Sequence, residues 1–400
     1  RAKAALTPTL LAPTSALDAG RQYALHPSMT GLTGLFNAGQ AAVQLNVGPL
    51  VVPLNKAQYL GSNRSAYPLP PKLFSHNDQQ SVWQSSQPEG STVGWGGNIG
   101  DLALARNTSD SLFTCISVTG NAVFLAGDQA LSYQVGSGGP VRINHIVGST
   151  YGINGLSTAM RNLTTGGGRT NLVESEYNLV TKRAVDSEAK ISAAIAPFPI
   201  NTAPFNAFPG NNPLADQMRM VARLIAGRGN LTVKRQVFMV SLGGFDLHDN
   251  LINNQTTLMQ RVSDAMTAFY NATAALGVAN QVTAFTASDF GRTLANNGDG
   301  SDHGWGSHHL VVGGAVKGKA FYGVAPPVGN GDSRSTAEVD AWQVGQGRLL
   351  PTTSVDQYAA TLARWFGVED AQLNGILPNL GNFDGRSQDG ISYPRTLGFL

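Results

Sequence analysis

Apolar positions along the chain change their period several times, and the changes mark out the elements. Leu214, Met218, Val221, Ala222 and Ile225 recur at the 3.6-residue spacing of one helix face. Asn212-Pro213 starts that helix, a capping side chain followed by proline where no amide donor is needed, and Gly227 ends it. The run Gln236-Val-Phe-Met-Val-Ser-Leu242 reads as a buried strand, followed by Gly243-Gly244. A second helix from about Gln255 to Leu276 buries Leu258, Val262, Met266, Phe269 and Thr273 and stops at Gly277. Gln281 to Ala287 and His309 to Gly314 are two further strands. Ser354-x-x-Gln357 is a capping box opening a helix through Trp365, with Gly367 placed to end it. Helix, strand, helix, strand, loop, strand predicts βαβ units and a mainly parallel sheet, an α/β fold.

The first half reads differently. Pro27, Pro49, Pro53, Pro68, Pro70 and Pro71 break the first 100 residues into short turn-rich units, with one apolar strand at Ala41 to Val52. Leu112 to Val147 holds short strands punctuated by glycine, which predicts a small antiparallel insertion. Asn171 to Ile195 is a long polar helix, and Pro197 to Pro213 a connector. No internal repeat is present. Residues 212–400 are expected to form the core that carries the site. Residues 1–211 are expected to wrap or insert into it, within one integrated domain.

Composition narrows the function classes. Charged residues are 13% of the 400, against about 25% in an ordinary soluble protein. Amides and hydroxyls fill the polar surface instead, a bias expected of a periplasmic, cell-surface or extracellular protein. A net charge of +2 with no Lys/Arg-rich run argues against a nucleic-acid partner. The single cysteine, Cys115, excludes an intrachain disulfide and a multi-cysteine zinc site, and its apolar surroundings predict a buried thiol. No apolar stretch reaches the ~18–20 residues of a membrane-spanning helix. The chain opens on Arg1 rather than methionine, so a processed or partial chain is expected. Sequons begin at Asn63, Asn107, Asn162, Asn230, Asn254 and Asn271, and matter only where exported proteins are glycosylated. Gly94-Trp95-Gly96-Gly97 lacks the Lys-Ser/Thr of a phosphate loop, and no Gly-x-Ser-x-Gly elbow supports a serine hydrolase.

Functional groups of parallel sheets collect at the carboxyl ends of the strands. Those ends read Gly243-Gly244-Phe245-Asp246-Leu247-His248-Asp249 and Ser288-Asp289-Phe290-Gly291-Arg292, and Asp302-His303-Gly304 precedes the strand at His309. Carboxylates and imidazoles converging from separate loops suit a divalent cation, oxygen supplying charge and nitrogen a softer donor. Asp246, His248, Asp289 and His303 are the expected ligands. Arg292 is placed to pair with an anionic group. His308 and His309 are adjacent, so in extended chain they face opposite ways and at most one enters the site. In Leu73-Phe-Ser-His76-Asn-Asp78-Gln-Gln-Ser-Val-Trp83, His76 is an extra ligand or a structural loop histidine. The plainer alternative for the whole set is that Asp246 caps a turn, Asp289 caps a helix, and the histidines make loop hydrogen bonds.

Six ordered segments carry a resemblance: His26-Pro27-Ser-Met-x-Gly-Leu-x-Gly-Leu-Phe36-Asn-Ala-Gly39, Leu73 to Trp83, Gly94 to Gly97, Gly243-Gly244-Phe245-Asp246-x-His248, Ser288 to Arg292 and Asp302-His303-Gly304. Together they resemble the bacterial family catalogued as domain of unknown function 1501, considered a distant relative of the alkaline phosphatase and sulfatase superfamily. The resemblance implies an alkaline-phosphatase-like three-layer sandwich with a mainly parallel central sheet, and export, commonly by the twin-arginine route. Superfamily enzymes carry Asp-His on metal where this chain has Asp289-Phe290, which removes a donor from a second metal position. Relatives begin with a strand ending in a Gly-Gly-Asn-Asp-like turn, and this chain starts after that point, so a missing segment is expected.

The reading that follows is a metal-dependent hydrolase of phosphate or sulfate esters. Asp246, His248, Asp289 and His303 hold the cation and Arg292 balances the anionic transition state. No side chain stands out as nucleophile, so a metal-activated water is the default. Its partner would be a small anionic ester or a sulfated or phosphorylated glycan. The alternative is a non-catalytic surface protein that keeps the fold and binds an assembly partner or a second copy of itself.

Overall fold

The computed structural model describes residues 2–107 and 111–400. The sequon at Asn107 runs into positions 108 and 109, which lie outside the described residues, as does Arg1. Along the chain the first strands are β1 (Ala41–Gly48), β2 (Cys115–Ser117), β3 (Ser132–Gln134), β4 (Val237–Met239) and β5 (Thr283–Phe285). They are followed by β6 (Arg292–Asn296), β7 (Ser301–His303), β8 (Ser307–Gly313), β9 (Phe321–Tyr322) and β10 (Thr353–Ser354). The helices begin with α1 (Thr30–Asn37), α2 (Lys56–Leu60), α3 (His76–Ser85), α4 (Trp95–Ala103) and α5 (Leu156–Thr165). Then come α6 (Leu172–Ile195), α7 (Pro213–Ala226), α8 (Leu251–Ala275) and α9 (Val355–Phe366).

The central sheet is mixed, which corrects the expected mainly parallel one. Its order is β10-β1-β8-β5, with β9 also on β1. β8 runs antiparallel to both neighbours, with Ala41 opposite Val312 and Thr283 opposite Gly313, while β9 and β10 lie parallel to β1. The reason is the connection between β5 and β8. A parallel step needs a crossover, usually a helix, whereas β5 reaches β8 through the hairpin β6–β7 and so returns in the opposite direction. The expected antiparallel insertion at Leu112 to Val147 is also corrected. β2 and β3 are parallel to each other and to β4, with Cys115 opposite both Ser132 and Val237. Gly120 and Gly127 lie in a crossover between β2 and β3 that passes through the short helix Val123–Leu125, while Gly136 and Gly139 bridge each other after β3.

Helices cover both faces of the central sheet, and β1 shows how the two cores are sorted. Every residue of β1 is buried. Ala41, Val43 and Leu45 enter a cluster with Leu32 and Phe36 of α1, Val221 of α7 and Phe269 of α8. Ala42 faces the opposite cluster with Ile99 of α4 and Tyr358 of α9. Val47 joins Ala42's side despite its odd position, because the register slips between Gln44 and Val47. Such a bulge reverses which face a strand residue takes. At that bulge Asn46 has φ 50°, its amide donates to His308 Nδ1 at 3.0 Å, and its Nδ2 donates to the Leu350 carbonyl at 2.8 Å.

The helices follow their sequence signals closely. Asn212 caps α7 by accepting from the Leu214 and Ala215 amides, and the five apolar positions of the expected face are all buried. Ser354 and Gln357 form the capping box of α9, and Gly367 closes that helix at φ 111°. Asn171 caps α6 by accepting from the Val173 and Glu174 amides. Cys115 is buried at Gly100, and burial, then Asp101, pushes its thiol up to about 12, so it is inert as a nucleophile. Among the described residues no helix is long and apolar enough to cross a membrane.

Candidate metal centre

Three loops and one helix end meet beyond the carboxyl ends of β4 and β5. The loop after β4 turns at Gly244, φ 94°, and carries Asp246 and His248 before α8 begins. The loop after β5 carries Asp289 and Phe290. Arg292 opens β6 and His303 ends β7, and the two are Cα partners across that hairpin. His76 is the first residue of α3, and Gln80 stands one turn further on the same face. The packing that fixes these loops is tight. A Cβ at Gly300, in the β6–β7 turn, would lie 2.1 Å from the carbonyl carbon of His248, and one at Gly304 would lie 2.6 Å from the Gly291 oxygen. Only glycine lets the hairpin approach the Asp246 loop so closely.

Asp246 is the hub. Its Oδ1 lies 2.9 Å from His248 Nε2 and 3.1 Å from His303 Nε2, and its Oδ2 lies 3.1 Å from His76 Nε2. Arg292 Nη1 also donates to Oδ1. Burial works to raise the Asp246 pKa, but hydrogen bonds from Arg292 and His76, with the charge of Arg292 and His303, outweigh it and hold the carboxyl at about 2. His76, Asp246 and His303 each present one donor atom within 4.8 Å of the others.

The far nitrogens of the histidines decide what the near ones offer. His303 Nδ1 lies 2.8 Å from the Phe74 carbonyl, a pure acceptor, so Nδ1 carries a proton, and Nε2 is the nitrogen left to offer a lone pair to a cation beside Asp246. His248 Nδ1 lies 3.4 Å from Asp302, which favours the same tautomer. The two Nε2 atoms are 3.2 Å apart. His76 Nδ1 lies 2.6 Å from Asp289 Oδ2, to which Gln80 Nε2 also donates at 2.9 Å. The Asp289 hydrogen bond raises the His76 pKa most, burial lowers it, and Asp246 raises it further. Asp289 therefore reaches the centre through His76, as an orienting carboxylate behind an imidazole.

Phe290 closes one side, its ring 4.4 Å from that of His303 and 4.7 Å from that of His76. Phe290 is thus a platform against which the His76 and His303 imidazoles pack. Arg292 is committed to the framework. Nε donates to Ser301 Oγ, Nη1 to Asp246, and Nη2 to the Leu247 and Ser301 carbonyls, which leaves one N–H on Nη1. His308 and His309 do face opposite ways, and neither enters the group. His308 packs against Tyr23, while His309 lies against Trp83 and bonds Ser307 and Thr286. Burial, with His308 nearby, lowers His309 to about 3 and keeps it neutral.

Sequence reasoning left His76 as an optional ligand and passed over Gln80, Asp302 and the Phe74 carbonyl. The His76/Gln80 spacing of four was the available signal, once that segment is read as a helix. The centre is partly open: side-chain exposure is 38% for Asp246 and 25% for His303. A concavity of about 450 Å³ between Leu54, Trp342 and Ile391 contains none of its residues.

Residues 155–377, more than half of the chain, match the family described as Protein of unknown function (DUF1501). The chain belongs to that family. The matched span includes the Asp246, Asp289 and His303 loops and excludes α3 with His76. No curated protein matches the chain. No solved structure matches it.

Proposed function

We propose that this family member is an exported, metal-dependent hydrolase of phosphate or sulfate esters, with the cation held by His76, Asp246 and His303 and with His248 at its edge. The observation that carries the reading is that the Nε2 atoms of His76 and His303 each lie 3.1 Å from a carboxylate oxygen of Asp246, each ring hydrogen-bonded to an acceptor on its far side. Acceptors this close repel one another unless a proton or a cation lies among them. Mixed carboxylate and imidazole donors fit zinc or manganese better than magnesium or calcium.

A cation held there supplies Lewis acidity toward an ester oxygen and makes water acidic enough to attack at neutral pH. The chain's own residues do the rest. Asp246 stays anionic across the physiological range. Asp289 and Gln80 fix the rotation of His76. Arg292 Nη1, bonded to Asp246, keeps a second N–H that can take an oxygen of an anionic substrate. Phe290 shields one face of the rings from water. The 13% charged composition supports placing the protein in the periplasm, on the cell surface or outside. The test is hydrolysis of p-nitrophenyl phosphate and p-nitrophenyl sulfate by zinc- or manganese-supplemented protein. We expect turnover of one ester that falls by about 10²-fold or more in Asp246→Asn. Turnover of neither, or equal turnover by the variant, would exclude the reading.

A further inference from the structure

Among the described residues, the N-terminal half of α6 presents an apolar stripe without a partner. Val173, Tyr177, Val180 and Ala184 follow one another at spacings of four, three and four, the seam of a coiled coil. Val173 is 79% exposed, Tyr177 63% and Val180 50%, and Ala184 is exposed too. The same spacing continues to Ser187 and Ile191, which are buried in the body of the protein. The stripe is thus one seam, covered at its C-terminal end and bare at its N-terminal end. α5 packs beside it, with Asn178 Nδ2 donating to the Gly166 carbonyl at 2.8 Å, yet α5 buries none of its own residues and leaves the stripe uncovered.

We propose that this stripe is the interface of a symmetric dimer, in which α6 of one chain lies antiparallel against α6 of a second copy. The charges beside the stripe decide the occupant and its direction. Glu176 and Arg183 lie on the same edge of the seam, one heptad apart, and neither side chain is in an ion pair among the described residues. A two-fold axis between Asn178 and Leu179 sets Tyr177 against the partner's Val180 and Val173 against the partner's Ala184. It also sets Glu176 beside the partner's Arg183, twice by symmetry. A parallel pair would face Glu176 with the partner's Thr181 and Arg183 with the partner's Glu188, a carboxylate already held by Arg142 and Ser192 of its own chain, so only the reversed pair joins the two charges. The acidic and basic halves of the segment are therefore complementary to a reversed copy of themselves. An anionic lipid surface would meet Glu174 and Glu176 at the most exposed end. The bare seam spans 12 residues, about 18 Å, so the association belongs to the small, micromolar class.

Sedimentation velocity of the full chain from low micromolar to several hundred micromolar tests this. We expect a monomer–dimer equilibrium that Tyr177→Asp abolishes with no change in the thermal melt, since Tyr177 is exposed in the single chain. Glu176→Arg or Arg183→Glu alone should weaken the dimer by about tenfold, and the two together should restore it. A protein monomeric at every concentration would overturn the proposal. So would a dimer indifferent to Tyr177→Asp, a double variant no better than the singles, or a stripe that instead carries the protein onto phosphatidylglycerol vesicles.

Discussion

His76 holds Asp289 with Nδ1 and faces Asp246 with Nε2, so a proton and a cation compete for that second nitrogen. In chelator-treated protein the carboxylates raise its folded pKa above the ordinary value of about 6.5. Its contribution to stability is then full below that ordinary value and is lost as pH rises through the raised one. Asp246 has the opposite sign. Its folded pKa is depressed to about 2, so its contribution is present above about 4 and is lost as pH falls toward 2. Followed by NMR in chelator-treated protein, the His76 ring should titrate above 6.5, and Asp289→Asn should lower that midpoint. An unmoved midpoint would show that Asp289 does not orient the ring. At this scale the sequence was legible where a side chain's type sets its chemistry, as for Asp246, His248 and His303. It was silent on who stands behind whom. Asp289 and Phe290 lie in one strand-end motif, yet one bonds His76 and the other packs its ring against it, and only the folded path of α3 decides that.

The helices were readable because their signals are local. Asn212 before Pro213, and Ser354 three residues before Gln357, each satisfy amides of their own first turn. Strand direction is not local. β5, β8 and β1 look alike as apolar runs, and only the β6–β7 hairpin between the first two makes β8 antiparallel. That hairpin read as loop, although it carries Arg292 and His303 and is pressed against the Asp246 loop. Ser301 N donates to the Leu247 carbonyl at 3.1 Å, and Leu251 N donates to the Asp299 carbonyl at 3.1 Å. Gly300→Ala should therefore do two things. It should cost about 1–3 kcal/mol in urea denaturation, from a Cβ forced against the His248 carbonyl, and it should weaken cation binding by moving His248. A variant as stable as the parent would mean that this contact relaxes freely.

Across the whole molecule, one buried carboxyl should govern how stability responds to pH. Asp356, in the first turn of α9, accepts from the Asn379 amide at 3.1 Å and is fully buried. Burial pushes it up to about 7, against the pull of that hydrogen bond. A carboxyl with a raised folded pKa binds its proton more tightly when folded. Its stabilising effect therefore holds below about 4 and is lost as pH rises toward 7. Asp356→Asn should raise the melting temperature at pH 8 relative to the parent and flatten the decline between pH 4 and 7, worth about 1–3 kcal/mol; a lower melting temperature at pH 8 would contradict this. The chemistry proposed for this chain depends on what the acceptors around Asp246 hold. Isothermal titration of zinc into the chelator-treated protein measures that directly. We expect one ion per chain, with binding weakened by about 10-fold or more in Asp289→Asn and abolished in Asp246→Ala and His303→Ala, all three remaining folded. No binding at all, or binding indifferent to Asp246 and His303, would contradict the metal centre.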